Sequence, residues 1–215
     1  MGLDIFLRKG KRNVVDSNDI NEIYDAFSNV KAEEYIGALK KWQEKKFRKP
    51  ERAIDELYRT IKKYDGFPIG VEEWDKDNNK YVCKLKTIED ANNYANKIVS
   101  AKPSEICTET DLYYRKVNFL YAFFPPTEEE MAIIEKADAE RLVEACNKVI
   151  KAYNNGNADW ESVAEEELPT QSGFFFGSTD YDDWYISDVK QVRREFAKLI
   201  KEWSDGEVVV IYYSW

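Results

Sequence analysis

The 215-residue sequence contains no histidine. That absence removes the commonest general base near neutral pH and the commonest zinc ligand, and it excludes any Ser-His or Cys-His nucleophile. Carboxylate, lysine, tyrosine or bound-metal chemistry stays open. Cysteine is sparse: Cys83, Cys107 and Cys146 are an odd number without metal-ligand spacing, and they read as reduced, mostly buried thiols. Glycine and proline number only 9 and 6, which fits a globular chain without low-complexity tracts. No apolar run approaches the roughly 18 residues that span a bilayer, so no membrane segment is expected. The start, MGLDIFLRKGKR, places its charges after a short apolar run and lacks a cleavage site. It does not read as a signal peptide, and a cytoplasmic protein is expected.

What is present suffices for a core. Hydrophobic residues make up 43% of the chain and aromatic ones 14%, enough for one large domain or two small ones. The net charge of −9 is uneven: residues 1–65 hold 15 basic against 12 acidic side chains, the remainder 17 against 29. The acidic remainder, interspersed with lysines, disfavours duplex nucleic acid and suits a basic partner or a cation, or serves solubility alone.

Leu3, Ile5 and Leu7 alternate with Asp4 and Phe6, the period of a strand with Phe6 on its other face. Residues 207–215 form a second strand, rich in β-branched and aromatic side chains. The two ends are expected to share one sheet. Between them helical spacing dominates. Ser17 or Asp19 opens a helix through Ile20, Ile23, Tyr24 and Phe27; Tyr35, Leu39 and Trp42 continue the stripe in a second, and Ile54, Leu57, Tyr58 and Ile61 make a third after Pro50. Lys40, Lys41, Lys45, Lys46, Arg48 and Lys49 on this block are a solvated helix end or a phosphate contact.

Asp65-Gly66 ends that block. Residues 75–79 then read as the turn of a hairpin between 71–74 and 81–85, and not as a calcium loop, whose glycine and terminal glutamate are missing. Thr87 and Asp90 form a capping box for a helix that Pro103 stops. Residues 111–124 carry helical spacing up to Pro125-Pro126, with Arg115 as a buried or half-buried cation on an apolar element. Thr127 with Glu130 reads as the capping box of a helix bearing Leu142, Cys146 and Val149, which ends at 154–156. A short helix around Trp160 follows, and a last one begins near Val189, capped by Ser187 or Asp188. The fold class is therefore α+β: mainly helical, with a small sheet joining the N- and C-terminal strands and a hairpin near 71–85. A single domain is expected.

The least ordinary stretch is 168–189, LPTQSGFFFGSTDYDDWYISDV. Pro169 fixes φ, and Gly173 and Gly177 allow sharp turns on either side of Phe174, Phe175 and Phe176. Three consecutive rings cannot all face one core from a strand, so at least one points to a second surface. Asp180, Asp182 and Asp183 interleave with Tyr181, Trp184 and Tyr185. The plainest reading is a buried corner whose aromatics fill the core and whose aspartates satisfy backbone donors or pair with Arg115. The functional reading is a cleft that stacks a planar group on an aromatic ring and pairs an anion with Arg115 and Lys116.

Three landmarks, MGLDIFL, YYRKVNFLYAFF and LPTQSGFFFGSTDYDDWY, resemble those of a family of uncharacterised proteins encoded by phages, prophages and other bacterial mobile elements. Its members begin MGLD, carry a W/Y-R-K-x-N segment followed by aromatics, and contain L-P-T-x-x-G-F-F-F-G with a Y-D-x-x-Y continuation. Arg115, Lys116, Asn118, Phe174, Phe175, Phe176, Tyr181, Asp182 and Tyr185 match those motifs. The resemblance implies an origin and a shared core, not a reaction, and it leaves 10–108 as a helical insertion particular to this chain.

The function expected is that of a noncatalytic accessory protein of a phage or mobile element, binding a host protein, host-defence factors included, or a nucleotide-like small molecule. Arg115, Lys116, Asn118, Phe174, Phe175, Phe176, Tyr181, Asp182, Trp184 and Tyr185 are its candidate binding residues. No catalytic residue, resident metal or cofactor is assigned. The alternatives are a metal-assisted hydrolase or nucleotidyl enzyme using Asp180, Asp182, Asp183 or Glu165-Glu166-Glu167, and a structural subunit of a larger particle. No P-loop, H-E-x-x-H or G-x-S-x-G spacing supports the enzyme.

Overall fold

The computed structural model describes residues 2–12, 19–64, 71–103, 110–127 and 130–215. Ser17, Asp65, Gly66 and Cys107 lie outside the described residues. The chain forms two compact units, Met1–Tyr24 with Asp111–Trp215, and Asp25–Thr110. As expected, the fold is α+β and mainly helical, and its terminal strands share an antiparallel sheet. Among the described residues no helix is long and apolar enough to cross a membrane.

In the first unit, β1 (Asp4–Lys11) and β6 (Glu207–Ser214) are the two central strands of a sheet ordered β4-β1-β6-β5. They pair along their whole length, Asp4 opposite Ser214 and Lys11 opposite Glu207. β6 has a neighbour on each side, which explains its unbroken apolar run: Val208, Val209, Val210 and Ile211 are all buried. One sheet face, with Ile5, Leu7, Tyr114, Ile134, Ile211 and Tyr213, forms a core with α5 (Lys136–Asn154), α6 (Trp160–Glu167) and α7 (Asp183–Lys201). On the other face Phe6 sits between Tyr113 and Tyr212, with ring centroids 5.3 and 6.1 Å away. Phe6 thus lies on the opposite side of the strand, half-buried, as its alternation required.

Several elements differ from the sequence expectation. Residues 111–124 are not one helix. They form the edge strand β4 (Leu112–Arg115), antiparallel to β1, and the one-turn helix α4 (Phe119–Phe123). Lys116 takes φ 60° between them, a left-handed angle that breaks any continuous helix. Aromatic residues favour strands, and pairing with β1 overrode the helical spacing. Thr127 and Glu130 do not cap a helix. Met131–Ile134 is strand β5, Glu130 has φ 65°, and the cap belongs to Glu135, whose N–H donates to Asp138 at 3.0 Å. The last helix starts at Asp183, well before Val189, because Asp182 accepts from the Tyr185 N–H at 2.9 Å.

In the second unit, the two helices expected before residue 45 are one, α1 (Ile20–Glu44), which enters this unit at Asp25. With α2 (Pro50–Tyr64) and α3 (Ile88–Val99) it encloses Tyr35, Leu39, Trp42, Leu57 and Ile61. Pro50 opens α2, where its missing N–H costs nothing. The Thr87–Asp90 capping box is present in both directions. The hairpin of β2 (Glu72–Asp75) and β3 (Lys80–Cys83) also forms; Asp75 accepts from the backbone of Asp77 and from Asn78, which closes the turn.

Candidate functional site

The stretch 168–182 leaves α6 and returns to α7 without regular secondary structure, yet it is held at many points. The Tyr185 hydroxyl donates to the Leu168 carbonyl at 2.9 Å, and the Thr170 hydroxyl donates to the Thr179 carbonyl at 3.0 Å. Phe176 closes a turn onto the Gly173 carbonyl and packs its ring over that glycine; a Cβ there would stand 2.8 Å from the ring. Gly177 has φ +92° and lies against the Lys116 side chain.

The three sequence landmarks meet here. The Leu3 N–H donates to the Phe175 carbonyl and the Lys116 N–H to the Leu3 carbonyl, both at 2.8 Å. Asn118 is 3% exposed, and its amide nitrogen donates to the carbonyls of Phe176 at 3.3 Å and Ser178 at 2.8 Å. Asn118, expected to contact a ligand, fixes the corner through these two bonds. Phe176 is buried against Tyr121 and Trp215, Tyr185 is buried against Phe119, and Tyr181 is half-buried against Tyr185. These three rings are core.

Two aromatic candidates remain on the surface. Phe174 is 96% exposed and touches Phe175 edge-on, and Trp184 is 81% exposed on the first turn of α7. The corner is therefore the buried one that its composition favoured only in part, with two of its rings in water. Arg115 is exposed on β4, neither buried nor half-buried, and no ion pair joins it to the aspartates of 180–183 among the described residues. An edge strand presents alternate residues to solvent, and burying Tyr114 turns Arg115 outward.

Beside Trp184 lies a cavity of about 350 Å³, lined by Lys116, Val117, Asn118, Phe119, Thr170, Gly177, Ser178, Asp180, Asp182, Trp184, Tyr185 and Asp188. Its charged lining is three aspartates and one lysine. Asp180 accepts from the Ser178 hydroxyl at 2.9 Å and Asp182 caps α7, each through one oxygen. Asp188 is half-buried; burial, and secondarily the charge of Asp182, hold its pKa above the ordinary carboxylate value. From sequence, Asp188 reads only as a helix cap. The sequence carries a signal for this site: between Lys151 and Lys190 there is no basic residue and there are nine acidic ones, so the lysine interspersion of the C-terminal part stops at this segment. Among the described residues no group of three or more His, Cys, Asp or Glu is placed to hold a metal ion.

No family model, no curated protein and no solved structure matches this chain.

Proposed function

We propose that this chain is a noncatalytic accessory protein of a phage or other mobile element that binds a host protein, a defence factor being one such target, in the host cytoplasm. The observation that carries the reading is Phe174. Its ring is 96% exposed on a turn whose backbone is held by Asn118, Leu3 and Gly173. Leaving a phenylalanine in water forgoes about 2 kcal/mol of burial, and a fixed, exposed aromatic is the form that interface anchors take. The origin rests on the three landmarks, which the fold gathers into one corner. A nucleotide-like ligand is less well supported, because the cavity's three aspartates repel phosphate and Arg115 does not line it.

The test places a photoreactive phenylalanine analogue at position 174 in bacterial host cells, with the same analogue at the exposed Tyr81 as control. One discrete adduct is expected from position 174 alone. Its partner, once purified, should bind the unlabelled protein, and Phe174→Ala should weaken that complex roughly tenfold or more. No adduct from a folded protein overturns the reading, and an adduct with a second copy of the chain transfers it to the structural-subunit alternative.

A further inference from the structure

We propose that the cavity beside Trp184 receives an arginine side chain of the bound protein. This inference rests on the reading of the corner as a protein-docking face and names the group that the face recognises. Trp184 and Asp188 are four residues apart on α7, so they stand on one helix face, one turn apart. The indole is 81% exposed, and both residues line the cavity. The half-buried Asp188 carboxylate makes no hydrogen bond or ion pair with another described residue. A guanidinium stacked on the indole reaches that carboxylate with its planar fork, and such stacking and bidentate pairing belong to arginine rather than lysine.

The remaining lining agrees in sign. Asp180 and Asp182 each keep an oxygen that Ser178 and the Tyr185 N–H leave unused. Lys116, whose stem lies along Gly177 and Gly2, joins no salt bridge among the described residues and offsets one of the three charges, so the lining stays net negative. The carbonyls of Phe176 and Ser178 are held by Asn118, so the wall behind the cavity is rigid. The segment around it carries nine acidic residues and no basic one, a field that concentrates cationic groups. Burial and Asp182 also disfavour the charged form of Asp188, a disadvantage that a bound guanidinium reverses.

The experiment titrates the full chain with Nα-acetyl-arginine methylamide and follows the backbone amide of residue 188 by NMR. The citrulline and lysine analogues run in parallel. A saturable shift in the millimolar range is expected with the arginine compound, as befits a ligand of this size. Asp188→Asn should weaken it about tenfold, the value of one charge-assisted pair. Trp184→Ala, at an exposed position that cannot unfold the core, should weaken it likewise, and Asp183→Asn, outside the lining, should leave it unchanged. A non-saturating shift, an equal response to citrulline, or lysine binding as tight as arginine overturns the assignment. Cross-linking from position 174 reports on the docking face separately. If it succeeds while the titration fails, the arginine site falls and the docking face stands.

Discussion

The amide of Asn118 donates to two carbonyls of one turn, and the cavity it braces contains one carboxylate, Asp188, that burial has made harder to ionise. Asp188 lends itself to a signed test. An unfolded aspartate titrates near pH 4, and the folded one higher, so the folded state binds the proton more tightly. Below the ordinary value both states are protonated and the side chain has no pH-dependent effect. As pH rises through the ordinary and then the raised pKa, the folded protein loses stability relative to the unfolded one. Asp182 adds to the penalty and Tyr185 stays neutral, while Asp180 and Lys116, of opposite charge, also line the cavity. Asp188→Asn is therefore expected to raise the melting temperature at neutral pH and to leave it unchanged at acidic pH. The gain will be modest, because water screens the exposed half of the group. Thermal unfolding across a pH series checks it, and a variant less stable at neutral pH would contradict the burial argument.

At the scale of elements, two glycines in different backbone settings give opposite expectations. Gly177 holds φ +92°, and a Cβ there would stand 3.2 Å from the Lys116 Cβ. Gly177→Ala should cost more than about 1 kcal/mol, since alanine tolerates that angle poorly. Gly37 lies inside α1 with nothing within 4 Å of its missing Cβ. Gly37→Ala should stabilise by about 0.5–1 kcal/mol through helix propensity. Urea unfolding of both variants measures the contrast. The same local-versus-tertiary distinction explains which elements could be read in advance. Caps at Thr87, the proline at the start of α2, and the Asp75 turn are local signals, and each stands where expected. The break at Lys116 and strand β4 depend on pairing with β1 and on the closing of the corner over Asn118, whereas the early start of α7 rests on the local cap of Asp182. No spacing rule within 111–124 contains those contacts. The candidate site divided similarly: its location was legible from unusual glycine and phenylalanine spacing, but which ring would face water depended on what Tyr121 and Trp215 would cover.

For the molecule as a whole, charge and core are both partitioned. Residues 1–24 with 111–215 carry 15 basic and 25 acidic side chains, a net −10; residues 25–110 carry 17 and 16, a net +1. The acidic field thus belongs to the unit with the corner, where it favours encounter with a basic partner and makes that encounter salt-dependent. Each unit also encloses its own apolar cluster, one around Ile5, Val192, Phe196 and Ile211, the other around Tyr35, Leu39, Leu57 and Ile61. A cavity cut in one cluster removes contacts from that cluster alone. Leu57 is 0% exposed, and its truncation to alanine should cost about 2–5 kcal/mol in its own unit. In native-state hydrogen exchange, Leu57→Ala is therefore expected to speed exchange across α2 and α3 while the paired amides of β1 and β6 keep their parent rates. Equal acceleration in both sets would mean that the two clusters unfold as one cooperative body.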